Sequence, residues 1–255
     1  MPDYHPVTRE AYTDKLWQRY TNYRFAAEDA VAPLVQQELA RAALTLPIAL
    51  MKQGDEFCPV AVQGLEPGKN LLVDDQGRWL ARYIPACYRG YPFKLIPSQD
   101  QQLLLCVDEA SNLVNDSDGE AFMDANGEPS APVQDVMNFL RQTYENGLLT
   151  AQIMTRLKEL ELIVPWPLKL QTPDGVKAVE GLFRFDEARL NSMPIDELEE
   201  VRKVGALPMI YCQLLSMQHV PSLGHILNRQ TSSAAEVEDV EALFAEKDDT
   251  LKFSF

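Results

Sequence analysis

Ile48-Ala49-Leu50-Met51, Cys58-Pro59-Val60-Ala61-Val62-Gln63, Asn70-Leu71-Leu72-Val73, Trp79-Leu80-Ala81-Arg82-Tyr83-Ile84, Phe93-Lys94-Leu95-Ile96 and Leu103-Leu104-Leu105-Cys106-Val107 are short, mostly apolar runs that follow one another closely. Turn chemistry separates them: Pro67-Gly68, Asp74-Asp75-Gln76-Gly77 and Pro97-Ser98-Gln99-Asp100. After the last run come Asn115-Asp116-Ser117-Asp118-Gly119 and Asp124-Ala125-Asn126-Gly127. Residues that fix a turn or accept positive φ, at this spacing, predict an antiparallel sheet linked by hairpins.

Working outward, Leu34, Val35, Glu38, Leu39, Ala42, Ala43 and Leu46 repeat at three and four, which predicts a helix from Pro33 to Pro47. Residues 1–30 have no strict period and read as an N-terminal arm anchored by Leu16, Trp17, Tyr20, Tyr23 and Phe25. Downstream the 3.6-residue period returns. Val133, Val136, Met137, Leu140 and Tyr144 share one helical stripe, with Ser130 as cap and Gly147 as stop. A second helix is expected from Thr150, burying Ile153, Met154, Leu157 and Leu160. A hairpin then joins residues 168–172 to 176–179 through Pro173-Asp174-Gly175, and residues 194–218 read as helix broken near Gly205 and Pro208. The expected fold class is α+β, with an antiparallel sheet and hairpins in the first half and helices plus one hairpin in the second. Its parts are the arm 1–30, a mainly β part 31–128, a mainly helical part 129–230 with the hairpin within 166–183, and an acidic flexible tail 231–255. The two middle parts are expected to form one unit.

Composition narrows the function. With 255 residues, 46% of them hydrophobic, the chain buries roughly three quarters of its unfolded surface without disulfides or structural metal. Cys58, Cys87, Cys106 and Cys212 are too scattered for a disulfide framework or a metal knuckle and read as reduced thiols. A net charge of −15 opposes binding to nucleic acid or anionic lipid. No apolar run approaches the roughly 20 residues of a membrane span, so direct membrane insertion is not expected. The opening residues lack the basic patch and apolar stretch of a signal peptide. The chain reads as cytoplasmic at synthesis, with signal-peptide-independent export left open.

Against that acidic background, residues 78–93 invert the local charge. Arg78, Trp79, Arg82, Tyr83, Tyr88, Arg89, Tyr91 and Phe93 fall in this strip, and no carboxylate does. Guanidinium groups bind carboxylate or phosphate through paired hydrogen bonds and stack on rings. The strip therefore suits a peptide or a small anionic or aromatic ligand. Its competing reading is structural, with rings packing the sheet and arginines paired to loops such as Asp74-Asp75. Pro85 and Pro92 bracket an irregular stretch, and Gly90 permits close approach of another backbone.

Other constellations are weaker. Gly64 to Asn70 has the wrong spacing and following residue for a phosphate loop. Asp116, Asp118 and Glu120 around Gly119 place Val114 at the first ligand position of a calcium loop, which favours a solvated turn. His219 and His225 share no helical face because Pro221 and Gly224 intervene. Cys87 near Arg82 and Arg89 is either a reactive thiol of lowered pKa or, more simply, a packed one. Asp108 and Glu109 at a strand end are the weak catalytic candidates, with no partner to name. The paired helices and hairpin resemble a winged helix, but residues 131–185 carry six basic and six acidic side chains, without the excess DNA demands. No metal and no cofactor is expected.

The run Pro33-Leu34-Val35 with Glu38 and Pro47-Ile48, then Gly64-Leu65, Asn70-Leu71-Leu72-Val73-Asp74, Gly77-Arg78-Trp79, Tyr83, Pro85, Arg89 and Tyr91-Pro92-Phe93, resembles the bacterial SapC family. Later echoes are Cys106-Val107-Asp108-Glu109, Gly127, Phe139-Leu140, Thr150, Gly181 and the helix ending near Ser216, so the likeness spans about residues 30–227. The resemblance implies a role linked to a bacterial surface layer and its export, with no assigned reaction. The expected function is thus an accessory protein without catalysis of its own, binding a peptide or small anionic or aromatic ligand, or a protein partner, through the arginine and ring strip. Two alternatives stand beside it: an enzyme or enzyme partner acting on aromatic residues or metabolites, and a surface-layer or export-associated structural protein.

Overall fold

The computed structural model describes residues 2–100, 102–172 and 175–227; the tail expected over 231–255 lies outside them. The first thirty residues contribute β1 (Tyr4–Pro6), α1 (Arg9–Tyr12) and β2 (Leu16–Trp17). There follow β3 (Val31–Pro33), α2 (Gln36–Ala42), the hairpin of β4 (Ile48–Gln53) and β5 (Glu56–Val62), the short α3 (Ala86–Arg89), then β6 (Phe93–Pro97), β7 (Leu103–Asp108), β8 (Val114–Asn115) and β9 (Glu120–Ala121). The second half holds α4 (Ala131–Glu159), β10 (Ile163–Pro165), β11 (Leu168–Thr172), β12 (Gly175–Val179), β13 (Leu182–Phe185), α5 (Glu187–Ser192), α6 (Ile195–Lys203) and α7 (Leu207–Ser216). The fold is α+β, as the sequence predicts.

A five-stranded antiparallel sheet in the order β10-β13-β4-β5-β3 draws strands from both halves of the chain. Ile48, Ala49, Leu50, Val60, Ala61 and Val62 are all buried, so consecutive side chains of β4 and β5 are covered on both faces. That is why these strands read as continuous apolar runs instead of alternating ones. α4 packs on β5, and α7 packs on β4 and β13. Each leucine so enclosed contributes about 1.5–3 kcal/mol. A second core lies under the three-stranded sheet β1-β7-β6 and the small sheet β8-β2-β9, where Trp17 meets Phe93 edge-on at 4.8 Å and Tyr12, Val107, Phe122 and Val133 close round them. The N-terminal residues are thus woven into two sheets, with Tyr4 opposite Asp108 and Trp17 opposite Val114.

Several expectations need correction. The helix predicted from Pro33 is only α2, because Pro33 sits in the edge strand β3 opposite Val60, and Leu34 N–H still bonds Pro59 O at 2.9 Å. Asn70–Val73 is buried loop and Trp79–Ile84 is loop in which Leu80 and Arg82 are exposed, the two joined by a bridge between Val73 and Trp79. The Asn70 side chain bonds Ala26 O, Gln63 Oε1 and Leu72 N–H, and this local bonding displaces a ladder. The two helices expected either side of Gly147 are one continuous α4 of 29 residues. A glycine inside a helix costs about 1 kcal/mol relative to alanine, too little to stop a helix anchored at both ends. Ser130 does stand at the N-cap of α4, but its hydroxyl donates to Ala121 O. The hairpin of β11 and β12 and the break at Gly205, where φ is +71°, are as expected.

Candidate functional site

α2 is a short helix with its first turn held from outside. Gln36 N–H donates to Thr150 Oγ1 at 2.8 Å and Gln37 N–H to Asn146 Oδ1 at 3.0 Å, so two side chains of α4 satisfy donors a helix start leaves open. Glu38 reaches back to accept Val35 N–H through Oε1 at 3.0 Å. Its other oxygen accepts Tyr83 O–H at 2.7 Å and Ala86 N–H at 2.8 Å, the latter at the start of α3. Glu38 is 5% exposed and lies 3.6 Å from the Arg89 guanidinium. Arg89 in turn donates to Tyr83 Oη at 2.7 Å and lies 5.5 Å from the centres of both the Tyr83 and Phe139 rings.

These groups border a cleft of about 290 Å3 between α2, the Tyr83–Arg89 segment and the middle of α4. Arg41 stands at its edge, exposed, its side chain with no hydrogen bond or ion pair among the described residues. Gln142, Thr143 and Asn146 add polar groups from α4. Among the described residues the sole carboxylate lining the cleft is Glu38. The Tyr83 hydroxyl is pushed well above its ordinary pKa, first by burial and then by donating to Glu38, and the nearby Arg89 and Arg41 charges only partly oppose this. The arrangement presents two guanidinium groups, an apolar ring and amides to whatever enters.

The structure divides the predicted strip instead of laying it on one face. Tyr83 and Arg89 go to the cleft. Trp79, Tyr88 and Tyr91 join Tyr20, Tyr23 and Phe25 in a ring cluster, where Tyr91 stacks on Phe25 at 3.9 Å and 11°. Tyr88 is buried and donates to Gln63 Oε1, while Trp79 Nε1 donates to Tyr83 O. Phe93 is sealed in the second core. Arg78 pairs with Asp74 at 2.7 Å, as the structural reading of the strip proposed. Arg82 is exposed without a partner among the described residues and does not border the cleft. Gly90 admits the side chain of Leu140 from α4 most closely, with the Phe93 backbone oxygen at ordinary contact distance.

Asp108 and Glu109 face the N-terminal strand. Asp108 is buried and accepts Asp3 N–H, Ala110 N–H and Tyr91 O–H, and Glu109 accepts Tyr12 O–H at 2.6 Å. Neither lines the cleft. Cys87 is touched by solvent, but protein fills much of the space round its sulfur. Desolvation, with the Glu38 and Asp29 charges behind it, raises the thiol and outweighs Arg89, so the lowered pKa considered for this residue is not found. All four cysteines are unpaired. Among the described residues no three His, Cys, Asp or Glu side chains group as metal ligands, and no helix is long and apolar enough to cross a membrane.

Sequence reasoning missed Arg41 and the α4 wall. Phe139, Gln142, Thr143 and Asn146 stand at i, i+3, i+4 and i+7, a helical stripe beside the apolar one, and that spacing was the available signal.

Fold and site together define an α+β protein with an arginine-bordered polar cleft. The SapC family model matches residues 7–223, most of the chain and every residue of the cleft, and the protein belongs to the SapC family. No curated protein and no solved structure matches the chain.

Proposed function

We propose that this SapC-family protein is an accessory binding protein without catalysis of its own, and that its cleft takes a small carboxylate-bearing ligand with a flat apolar portion. One observation carries the reading. Arg41 and Arg89 both open on a cleft whose single carboxylate, Glu38, is already engaged by three neutral donors. The local balance is cationic in a chain of net charge −15. Arg89 is held by the Tyr83 hydroxyl and lies near the Tyr83 and Phe139 rings, so little rotamer freedom is lost when a planar anion pairs with it. Phe139 offers a face for the apolar portion.

The test is an NMR titration of the full chain, following arginine side-chain resonances as benzoate, acetate or inorganic phosphate is added. Saturable shifts at Arg89 and Arg41, strongest with benzoate, are expected, with only a linear response at Arg82. Arg41→Ala should weaken benzoate binding about tenfold, the loss of roughly 1.4 kcal/mol of a charge-assisted contact, while leaving the melting temperature unchanged. Equal, unsaturable responses at all three arginines would remove the cleft as a site.

A further inference from the structure

Asn146 stands in the middle of α4 and is 3% exposed, yet half of its amide is unused. A backbone N–H can only donate, so the bond from Gln37 N–H at 3.0 Å marks the accepting atom of the side chain as oxygen and fixes the other as Nδ2. Nδ2 has no hydrogen-bond partner among the described residues, and it is not sealed in as Trp17 Nε1 and Gln63 Nε2 are. What exposure the residue keeps opens on the cleft, of which Asn146 is a wall. Phe139, with Arg89 5.5 Å from its ring centre, lines the same cleft seven residues earlier on α4, about 10 Å away along the helix axis. Thr143, between them, donates its proton to Phe139 O at 2.9 Å and can only accept.

We infer that the cleft selects a ligand with two ends, a carboxylate at Arg89 and a neutral carbonyl-type acceptor held by Asn146 Nδ2. The inference rests on the carboxylate-binding reading above and adds to it the group at the far end of the molecule. A ligand whose carboxylate pairs with Arg89 and whose flat portion covers Phe139 extends along α4 to Asn146. There it meets a donor whose direction the Gln37 bond has set. An apolar end at that place strips water from Nδ2 and returns no bond, whereas a carbonyl oxygen replaces the water. A second carboxylate would have to be desolvated against a neutral amide. An ammonium end would set donor against donor.

Two probes of one shape test this: 4-acetylbenzoate and 4-isopropylbenzoate, in which a methyl group replaces the carbonyl oxygen. Both are titrated into the full chain by calorimetry and by nitrogen-edited NMR. The wild type should bind the acetyl compound about fivefold more tightly, the equivalent of one neutral hydrogen bond, and that compound alone should strongly shift the Asn146 side-chain amide resonances. Asn146→Asp keeps an oxygen for Gln37 N–H and removes the donor, so the start of α2 stays capped while the two probes bind alike or in reverse order. The new charge acts on the carboxylate common to both probes and cancels from the comparison. Equal binding of the two by the wild type overturns the inference whatever becomes of the variant, and so does a preference that survives Asn146→Asp. Both outcomes leave benzoate binding at Arg89 and Arg41 in place; absence of that binding removes the carboxylate reading and this inference together.

Discussion

Replacing Glu38 by alanine removes the acceptor on which the cleft is assembled. Val35 N–H, Tyr83 O–H and Ala86 N–H lose their partner together, and Arg89 loses the carboxylate behind it. Ala86 is buried and Tyr83 half-buried, so water replaces these bonds poorly. A buried donor left unsatisfied costs about 1–3 kcal/mol, and removing one partner of a buried charge pair about 3–5. Because the donors surround one carboxylate, their losses overlap, and about 3–5 kcal/mol is the expected total for Glu38→Ala. At roughly 2–4 °C per kcal/mol for a chain of this size, the melting temperature should fall by about 6–20 °C. Glu38→Gln keeps one acceptor and turns an amide toward the other donors, so its loss should be smaller, about 1.5–3 kcal/mol. Urea unfolding followed by far-UV circular dichroism reads both, with the slope against denaturant checked for constancy. A loss under about 1 kcal/mol for Glu38→Ala would mean that solvent replaces the carboxylate freely, and the account of a pre-arranged Arg89 would go with it.

Gly147→Ala should stabilise the protein by about 0.5–1 kcal/mol, since a Cβ there meets only Val35 Cγ1 at 3.9 Å and the helix gains propensity; destabilisation would show that the α2–α4 contact is tighter than described. Thr150→Val, which keeps the shape and removes the acceptor for Gln36 N–H, should cost about 1 kcal/mol in thermal or urea unfolding, and no change would remove Thr150 as the cap of α2. Burial, aided by Tyr23 and by Asp108 respectively, pushes the Tyr20 and Tyr91 hydroxyls up to about 12. The folded state therefore keeps protons that the unfolded state releases near pH 10, so the stability these two groups contribute is fully present below about pH 10 and is lost as pH rises toward 12. Phenolate absorbance and near-UV dichroism should change together across that window, and early ionisation of both tyrosines in an intact fold would contradict their burial.

The sequence disclosed β4, β5, β6 and β7 because each is an apolar run closed by turn residues. It did not distinguish Asn70–Val73 from a strand, since periodicity registers burial, and a buried loop satisfied by an asparagine side chain has the same pattern. Gly147 read as a stop because local propensity opposes it there, whereas tertiary packing carries α4 through. In the site, Tyr83 and Arg89 were legible as a local reversal of charge. Their partners were not. Glu38 fell within the repeat that predicts the helix but carried no sign of what it would bond, Arg41 stood outside that repeat, and Phe139, Gln142 and Asn146 reach the cleft only through the placement of α4. The unbroken strip expected from the sequence is divided at α3, with Tyr88 in one core and Phe93 in the other.

α4 is anchored in one core through Val133 and in the other through Leu157, and between these points it grips the first turn of α2 through Asn146 and Thr150. It acts as a single beam with the cleft hung from its midspan. A proteolytic cut anywhere along it would sever the load path between the two ends, so neither fragment should retain the pocket, and the intact chain should melt in one step instead of two.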